Sequence, residues 1–219
     1  MKKWIWVILL SISMLLSAAE SPQKESTANK DYDRVLVLDD FNDGDLTNSP
    51  EWWVFDALKP TIVPTEGSAQ DKYYLRLRGT AKDYYIGGMG FYFGRDAAQY
   101  DALALAIKGS GTPAVLRIQL FDDDNFSYEL EQDKNYEPLY DDKYEHEIIV
   151  DWEGWQDVVI PFSRFVLMNP GVGDGIWNPA AEKGSGGLLH IQLILSLPVA
   201  QGDADVSLND LCLVRLKNK

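Results

Sequence analysis

The sequence predicts an all-β domain of the jelly-roll sandwich type, on three observations. Apolar residues recur in short runs that alternate with polar ones, the period of a strand with one buried face. Clusters of turn residues separate the runs, at Asn42-Asp43-Gly44-Asp45, Lys108-Gly109-Ser110-Gly111, Asp122-Asp123-Asp124-Asn125 and Asn169-Pro170-Gly171. No segment sustains a 3.6-residue period over three turns. About ten short strands divided in this way fit a two-sheet jelly roll.

The fold is expected to start after an export signal. Lys2 and Lys3 precede an apolar run from Trp4 to Leu16, and Ser17-Ala18-Ala19 supplies small residues for cleavage after Ala19. The run is short for a membrane span and a polar stretch follows it, so release without stable membrane insertion is expected, in a secreted or periplasmic location. Residues 20–34 read as a flexible polar tether, and residues 35–217 as a single sandwich domain. Removing residues 1–19 leaves 200 residues, enough to bury a core unaided. The leader holds two of the 20 basic residues and none of the 34 acidic ones, so the mature chain sets 18 against 34, a net charge of −16. Such a surface repels phosphate backbones, and nucleic acid is not an expected partner. The lone cysteine, Cys212, excludes an internal disulfide and is expected as a small packed residue.

The strands are expected at Val35–Leu38, Trp52–Asp56, Tyr73–Arg78, Ile86–Phe93, Ala102–Lys108, Val115–Phe121, Glu147–Val150, Gln156–Ile160, Leu188–Leu197 and Val206–Leu213. Period two assigns their faces. Leu189, Ile191, Leu193, Leu195 and Leu197 share one face, with His190, Gln192, Ile194 and Ser196 on the other. Leu116, Ile118 and Leu120 oppose Arg117, Gln119 and Phe121, and Leu103, Leu105 and Ile107 oppose Ala102, Ala104 and Ala106. Two of the polar faces thus carry neutral hydrogen-bonding groups beside an arginine, rather than a plain row of Lys and Glu. The stretch DWEGWQDVVIPFSRF, from Asp151 to Phe165, sets two tryptophans three residues apart before the strand-like run Val158-Val159-Ile160. Pro161 ends its ladder, and Trp152 is expected nearer the surface.

Two histidines and one cysteine do not make a zinc site. Lys183 stands where a G-x-S-x-G elbow needs its first glycine, and Gly87-Gly88-Met89-Gly90 lies inside a strand rather than before a helix. With 34 acids, a glycosidase pair cannot be told from chance. A non-catalytic protein is expected. The acidic turns Asp39–Asp45 and Asp122–Asp124 have the hard oxygen chemistry of a calcium site, although the first departs from the EF-hand spacing. The remaining signal is aromatic: seven Trp, eleven Tyr and eight Phe. Aromatic faces stack on sugar rings while amides, Arg and carboxylates take the hydroxyls.

Seven segments then fall in one order: VLVLDDFNDGD, YIGGMGFYF, YDALALAIKGSG, LRIQLFDDDN, WQDVVIPFSRF, LLHIQLILSL and VSLNDLCLVRL. The series resembles the family 11 carbohydrate-binding modules and relatives such as the complex I intermediate-associated domain, which share a galactose-binding-like β-sandwich. It covers nearly all of residues 35 to 216. Asp39-Asp40-Phe41, the strand from Trp155 to Ile160-Pro161-Phe162, and Leu208-Asn209-Asp210-Leu211 are its most specific parts, and the resemblance implies that Trp155 and Phe162 are packed anchors at the two ends of that strand. The resemblance implies a glucan-binding groove on one sheet, lined by tyrosines with Arg, Asp and His, and structural Ca²⁺ near the chain ends, which here falls to Asp39, Asp40, Asp43 and Asp210. This chain departs from its relatives in the order Asn209-Asp210 and in Ala106, where they tend to carry an acid. The expected polar contacts are Arg117, Gln119, His190 and Gln192, and the expected stacking residues Tyr74, Tyr85 and Tyr128. The expected ligand is a neutral, glucan-like polysaccharide. An assembly role with another envelope protein, without sugar, is the alternative, and a glycosidase the third reading.

Overall fold

The computed structural model describes residues 32–48, 50–66, 71–182 and 185–217. The expected leader and residues 20–31 of the expected tether lie outside the described residues. In chain order β1 is Tyr32–Asp39, β2 Trp53–Asp56, β3 Lys59–Pro64, β4 Tyr73–Lys82, β5 Tyr85–Arg95 and β6 Ala102–Ser110. There follow β7 Ala114–Asp123, β8 Asp142–Val150, β9 Glu153–Pro161, β10 Val166–Leu167, β11 Gly187–Ser196 and β12 Gln201–Leu216. One 3-10 turn, Phe162–Arg164, follows β9.

Hydrogen bonding runs along one antiparallel path, β10-β8-β7-β11-β5-β4-β12-β6-β9, with β2 beside β5, β3 beside β4 and β1 beside β12. The path is pinched at the β4–β5 hairpin, where Lys82 opposite Tyr85 is the pairing. It therefore curls into two layers. One holds β2, β5, β11, β7, β8 and β10; the other holds β3, β4, β12, β1, β6 and β9. This is the all-β sandwich that the alternation predicted. Each layer turns its aliphatic alternate inward: Leu116, Ile118, Leu120, Ile191, Leu193 and Leu195 from the first share one core with Leu75, Leu77, Leu103, Ile107, Val206 and Leu208 from the second. Burying each such side chain contributes about 1.5–3 kcal/mol. Ala102 and Ala104 sit on the far side of their layer, buried with Cys212 and Val214, with Val35 and Val37 of β1 packed against them. Burial pushes the Cys212 thiol up to about 12, so it is a packed, protonated residue.

Four local expectations change. β1 begins at Tyr32, three residues inside the expected tether. β3 was not expected, because Pro60 and Pro64 mask it; both prolines are tolerated since β3 is an edge strand whose ladder is with β4. An irregularity between Leu188 and His190 shifts the alternation, so Leu188 enters the core and Leu189 packs instead on Phe121 and Leu130. The two tryptophans of the Asp151–Phe165 stretch exchange roles. Val158 and Ile160 take the inward positions of β9, so Trp155, of the opposite parity, points outward and is exposed, edge-on to Tyr74 at 5.5 Å. Trp152 packs against the core. Phe162 is a buried anchor as expected, 5.2 Å from Trp177.

Candidate functional site

The outer face of the first layer is built from three rows of residues in register. Lys143, Phe121, His190 and Tyr92 form one row across β8, β7, β11 and β5. Glu145, Gln119, Gln192, Gly90 and Trp53 form the next, reaching β2. Glu147, Arg117, Ile194, Gly88 and Phe55 form the third. Arg117 and Gln119 share one face of β7, and His190 and Gln192 one face of β11, as their parities predicted, and the pairing of β7 with β11 brings the four together.

The absence of side chains at Gly88 and Gly90 shapes this face. A Cβ at Gly90 would lie 2.8 Å from Gln192 Cγ and 2.9 Å from the Ile191 carbonyl oxygen; one at Gly88 would lie 2.7 Å from Ile194 Cδ1 and collide with the Phe55 ring. The bare surface of β5 lets rings from β2 lie across it and touch β11. Trp53 stacks on His190 with centroids 4.3 Å apart and planes 9° from parallel. Tyr92 packs 5.2 Å from Trp53 and 5.0 Å from His190, and Phe121 closes the far side at 5.3 Å. His190 is therefore fully buried, and both its ring nitrogens lack a partner. Burial alone pushes its pKa down to about 3, so the ring is neutral. This corrects the expectation of a polar contact. His190 is a base on which Trp53 rests, and the surface is made by the half-buried Trp53 and the exposed Tyr92. Neither is among the contact residues expected from the sequence. Trp53 stood next to Trp52, which is core, and only the β2–β5–β11 register shows where its ring goes.

Beside the rings, the polar groups satisfy one another. Arg117 Nε donates to Glu147 Oε2 at 3.0 Å and Nη1 donates to Ser196 Oγ at 2.8 Å, with Glu145 Oε1 3.6 Å away. Gln119 Nε2 donates to Glu145 Oε2 at 2.7 Å. The row pairing joins one cation to two carboxylates, and all of these groups save the buried Ser196 keep some exposure, so the strip offers both donors and acceptors to a ligand.

The three expected tyrosines are dispersed. Tyr85 is at the hairpin end of β5, where its hydroxyl donates to Asp56 Oδ2 at 2.7 Å. Tyr128 sits in the segment between β7 and β8, 5.1 Å from Phe126. Tyr74 belongs to the other layer, between Trp155 and the Lys108 ammonium, and does not share this face.

The acids expected to hold a metal serve the local turn. Asp39 Oδ1 accepts from Phe41 N and Oδ2 from Trp52 Nε1, both at 2.7 Å, and burial raises its pKa to about 6. Asp40 accepts from Asn42 N, and Asp43 from Asp45 N. Asp210 sits at the irregularity of β12 with φ of 49°. Among the described residues, the acids that converge as cation ligands do are Asp122, Asp124 and Asp142, each offering a carboxylate oxygen within 4.8 Å of the others.

No family model matches the sequence. No curated protein matches it either. Solved structures do match the fold. A family 11 carbohydrate-binding module from Clostridium thermocellum, in complex with a β-1,3-1,4-mixed-linked tetrasaccharide, superposes with a TM-score of 0.57 at 15% identity, covering 84% of this chain and 98% of that one. The family 11 module of a cellulosomal cellulase of the same organism gives 0.56 at 14% identity, over 85% of this chain and 97% of that one. An exo-β-agarase gives 0.53 at 12% identity, over 84% of this chain and 25% of that one. The fold is that of the family 11 carbohydrate-binding modules. Among the described residues no helix is long and apolar enough to cross a membrane.

Proposed function

We propose that this chain is an exported, non-catalytic carbohydrate-binding module, and that it takes a neutral, glucan-like polysaccharide on the outer face of the β2-β5-β11-β7-β8 layer. The observation that carries the reading is the juxtaposition of a stacked aromatic pair, Trp53 over His190 with Tyr92 beside it, and, next to Gln192, the hydrogen-bonded strip of Gln119, Arg117, Glu145 and Glu147. An indole or phenol face takes the apolar C–H surface of a sugar ring, and amide, guanidinium and carboxylate groups take its hydroxyls. The strip is held rigid by its own hydrogen bonds, so little ordering is left to do on binding. The fold agrees with this, as does the bound mixed-linked tetrasaccharide of one structural neighbour.

Affinity gel electrophoresis of residues 20–219 against β-glucans, xylan, mannan and starch tests it. Retardation by a neutral polymer, reduced in Trp53→Ala and Arg117→Ala, is the expected result. A folded protein that no polymer retards would sink the proposal and favour the protein-assembly reading.

A further inference from the structure

A second site lies at the end of the same layer, where β7 runs out at Asp122–Asp124 and β8 starts at Asp142. Each of three acids uses one oxygen for backbone donors. Asp122 Oδ2 accepts from Asn178 N at 2.9 Å; Asp124 Oδ2 accepts from Asp142 N at 3.0 Å and Asp174 N at 3.3 Å; Asp142 Oδ2 accepts from Gly175 N at 2.6 Å. The other oxygen of each, Asp122 Oδ1, Asp124 Oδ1 and Asp142 Oδ1, is buried with no hydrogen-bond donor. Asp122 and Asp142 are 0% exposed. No basic side chain pairs with any of the three among the described residues. Gly173 closes the site, and a side chain there would collide with Asp124 Oδ2.

Three converging carboxylates, two of them fully buried, each with one buried oxygen lacking a donor, are not a stable arrangement on their own. Charges withdrawn from water require a counter-charge or protons. We propose that Asp122, Asp124 and Asp142 bind a divalent hard cation of the Ca²⁺ type. This site is separate from the chain-end acids considered above and does not depend on the carbohydrate reading. An all-oxygen, carboxylate-rich set selects a hard cation. Three side-chain acids from β7, the turn after it and β8, under a loop that donates through Asp174, Gly175 and Asn178, suit an ion that accepts irregular geometry better than Mg²⁺, which demands a tight octahedron and keeps its water. The ion pins the 169–178 loop onto the end of the sandwich. Burial raises Asp122 to about 8 and Asp124 to about 6, and the neighbouring acids add to both, the direction in which like charges withdrawn from water move one another.

The test is metal uptake by the whole mature chain after chelation and dialysis, read by elemental analysis and by melting with Ca²⁺ or Mg²⁺ added. Uptake of at least one Ca²⁺ per chain is expected, with Tm raised by about 5 °C or more at saturation and little response to Mg²⁺. Asp142→Asn and the less buried Asp124→Asn should each lower Ca²⁺ affinity at least tenfold, while Asp43→Asn leaves it unchanged. Terbium luminescence of the wild-type protein, displaced by Ca²⁺, gives the same answer should the variants fail to fold. No uptake at ~1 mM free Ca²⁺, the weak end of protein calcium sites, would overturn the proposal. So would uptake that survives Asp142→Asn but is lost in Asp43→Asn.

Discussion

The face and the end of one layer handle charge in opposite ways. On the face, Arg117 joins Glu147, Ser196 and Glu145, and Gln119 joins Glu145, so donors and acceptors meet at half-exposed positions. At the end, Asp122, Asp124 and Asp142 are drawn together with three oxygens left over. Both groups draw mainly on β7, β8 and the turn that follows β7, a few residues apart. The difference is composition: the face mixes signs and amides, the end carries one sign. A surface that is internally paired is ready for a neutral partner, which exchanges hydrogen bonds and needs no counter-charge. A buried cluster of one sign calls for a cation.

Predictions that break or sharpen this contrast run from large to small. Gly90→Val should have the largest effect. Its Cβ would press on the Ile191 carbonyl, which cannot rotate away, and on Gln192, at a loss of about 1–3 kcal/mol. It should also lift Trp53 from His190 and abolish polysaccharide retardation; denaturant melts and gels on one preparation read both. Asp142→Asn should do the reverse at the other end. In chelator it removes one uncompensated charge while keeping an oxygen for Gly175 N, and should stabilise the protein by about 1–3 kcal/mol. Destabilisation in chelator would mean that the cluster is not short of positive charge.

The pH dependence of His190 comes next. Its folded pKa, about 3, lies below the ordinary 6.5. The unfolded chain therefore binds the proton first as pH falls. The stability tied to the neutral ring is complete above pH 6.5 and is lost as pH falls from there towards 3. His190→Phe should flatten the fall of Tm between pH 6.5 and 4, and Trp53→Ala should bring the His190 titration seen by NMR up towards 6.5. Tyr74→Ala should have the smallest effect: it lies on the other layer, and retardation should be unchanged.

How far the sequence reached depended on whether a feature is local. The faces of β6 and β7 followed directly from parity, since Leu103, Leu105, Ile107, Leu116, Ile118 and Leu120 alternate without interruption. β11 was read correctly except at Leu189, where a bulge breaks the period that the reading relied on. β3 was hidden because its prolines are allowed only by an edge position, a fact about neighbours. The same holds for the sites. Alternation put Arg117 and Gln119 on the polar face of one strand and His190 and Gln192 on that of another; that the two faces adjoin, and that Trp53 crosses Gly90 to bury His190, need the register of β2, β5, β11 and β7. Asp122 and Asp124 were visible as an acidic turn. Asp142, from the next strand, and Gly173, from a later loop, are what turn them into a cluster.

The measurement that bears most directly on the carbohydrate reading is a titration of folded residues 20–219 with a soluble β-1,3-1,4-mixed-linked oligosaccharide, followed by the indole signals in NMR and by calorimetry. The account predicts saturable binding that shifts the Trp53 indole and leaves Trp155 in place, and that weakens about tenfold, or about 1.4 kcal/mol, in Trp53→Ala. Binding that shifts Trp155 and survives Trp53→Ala would contradict the assignment of the face. No heat and no shift with any neutral glycan tried would contradict the function itself.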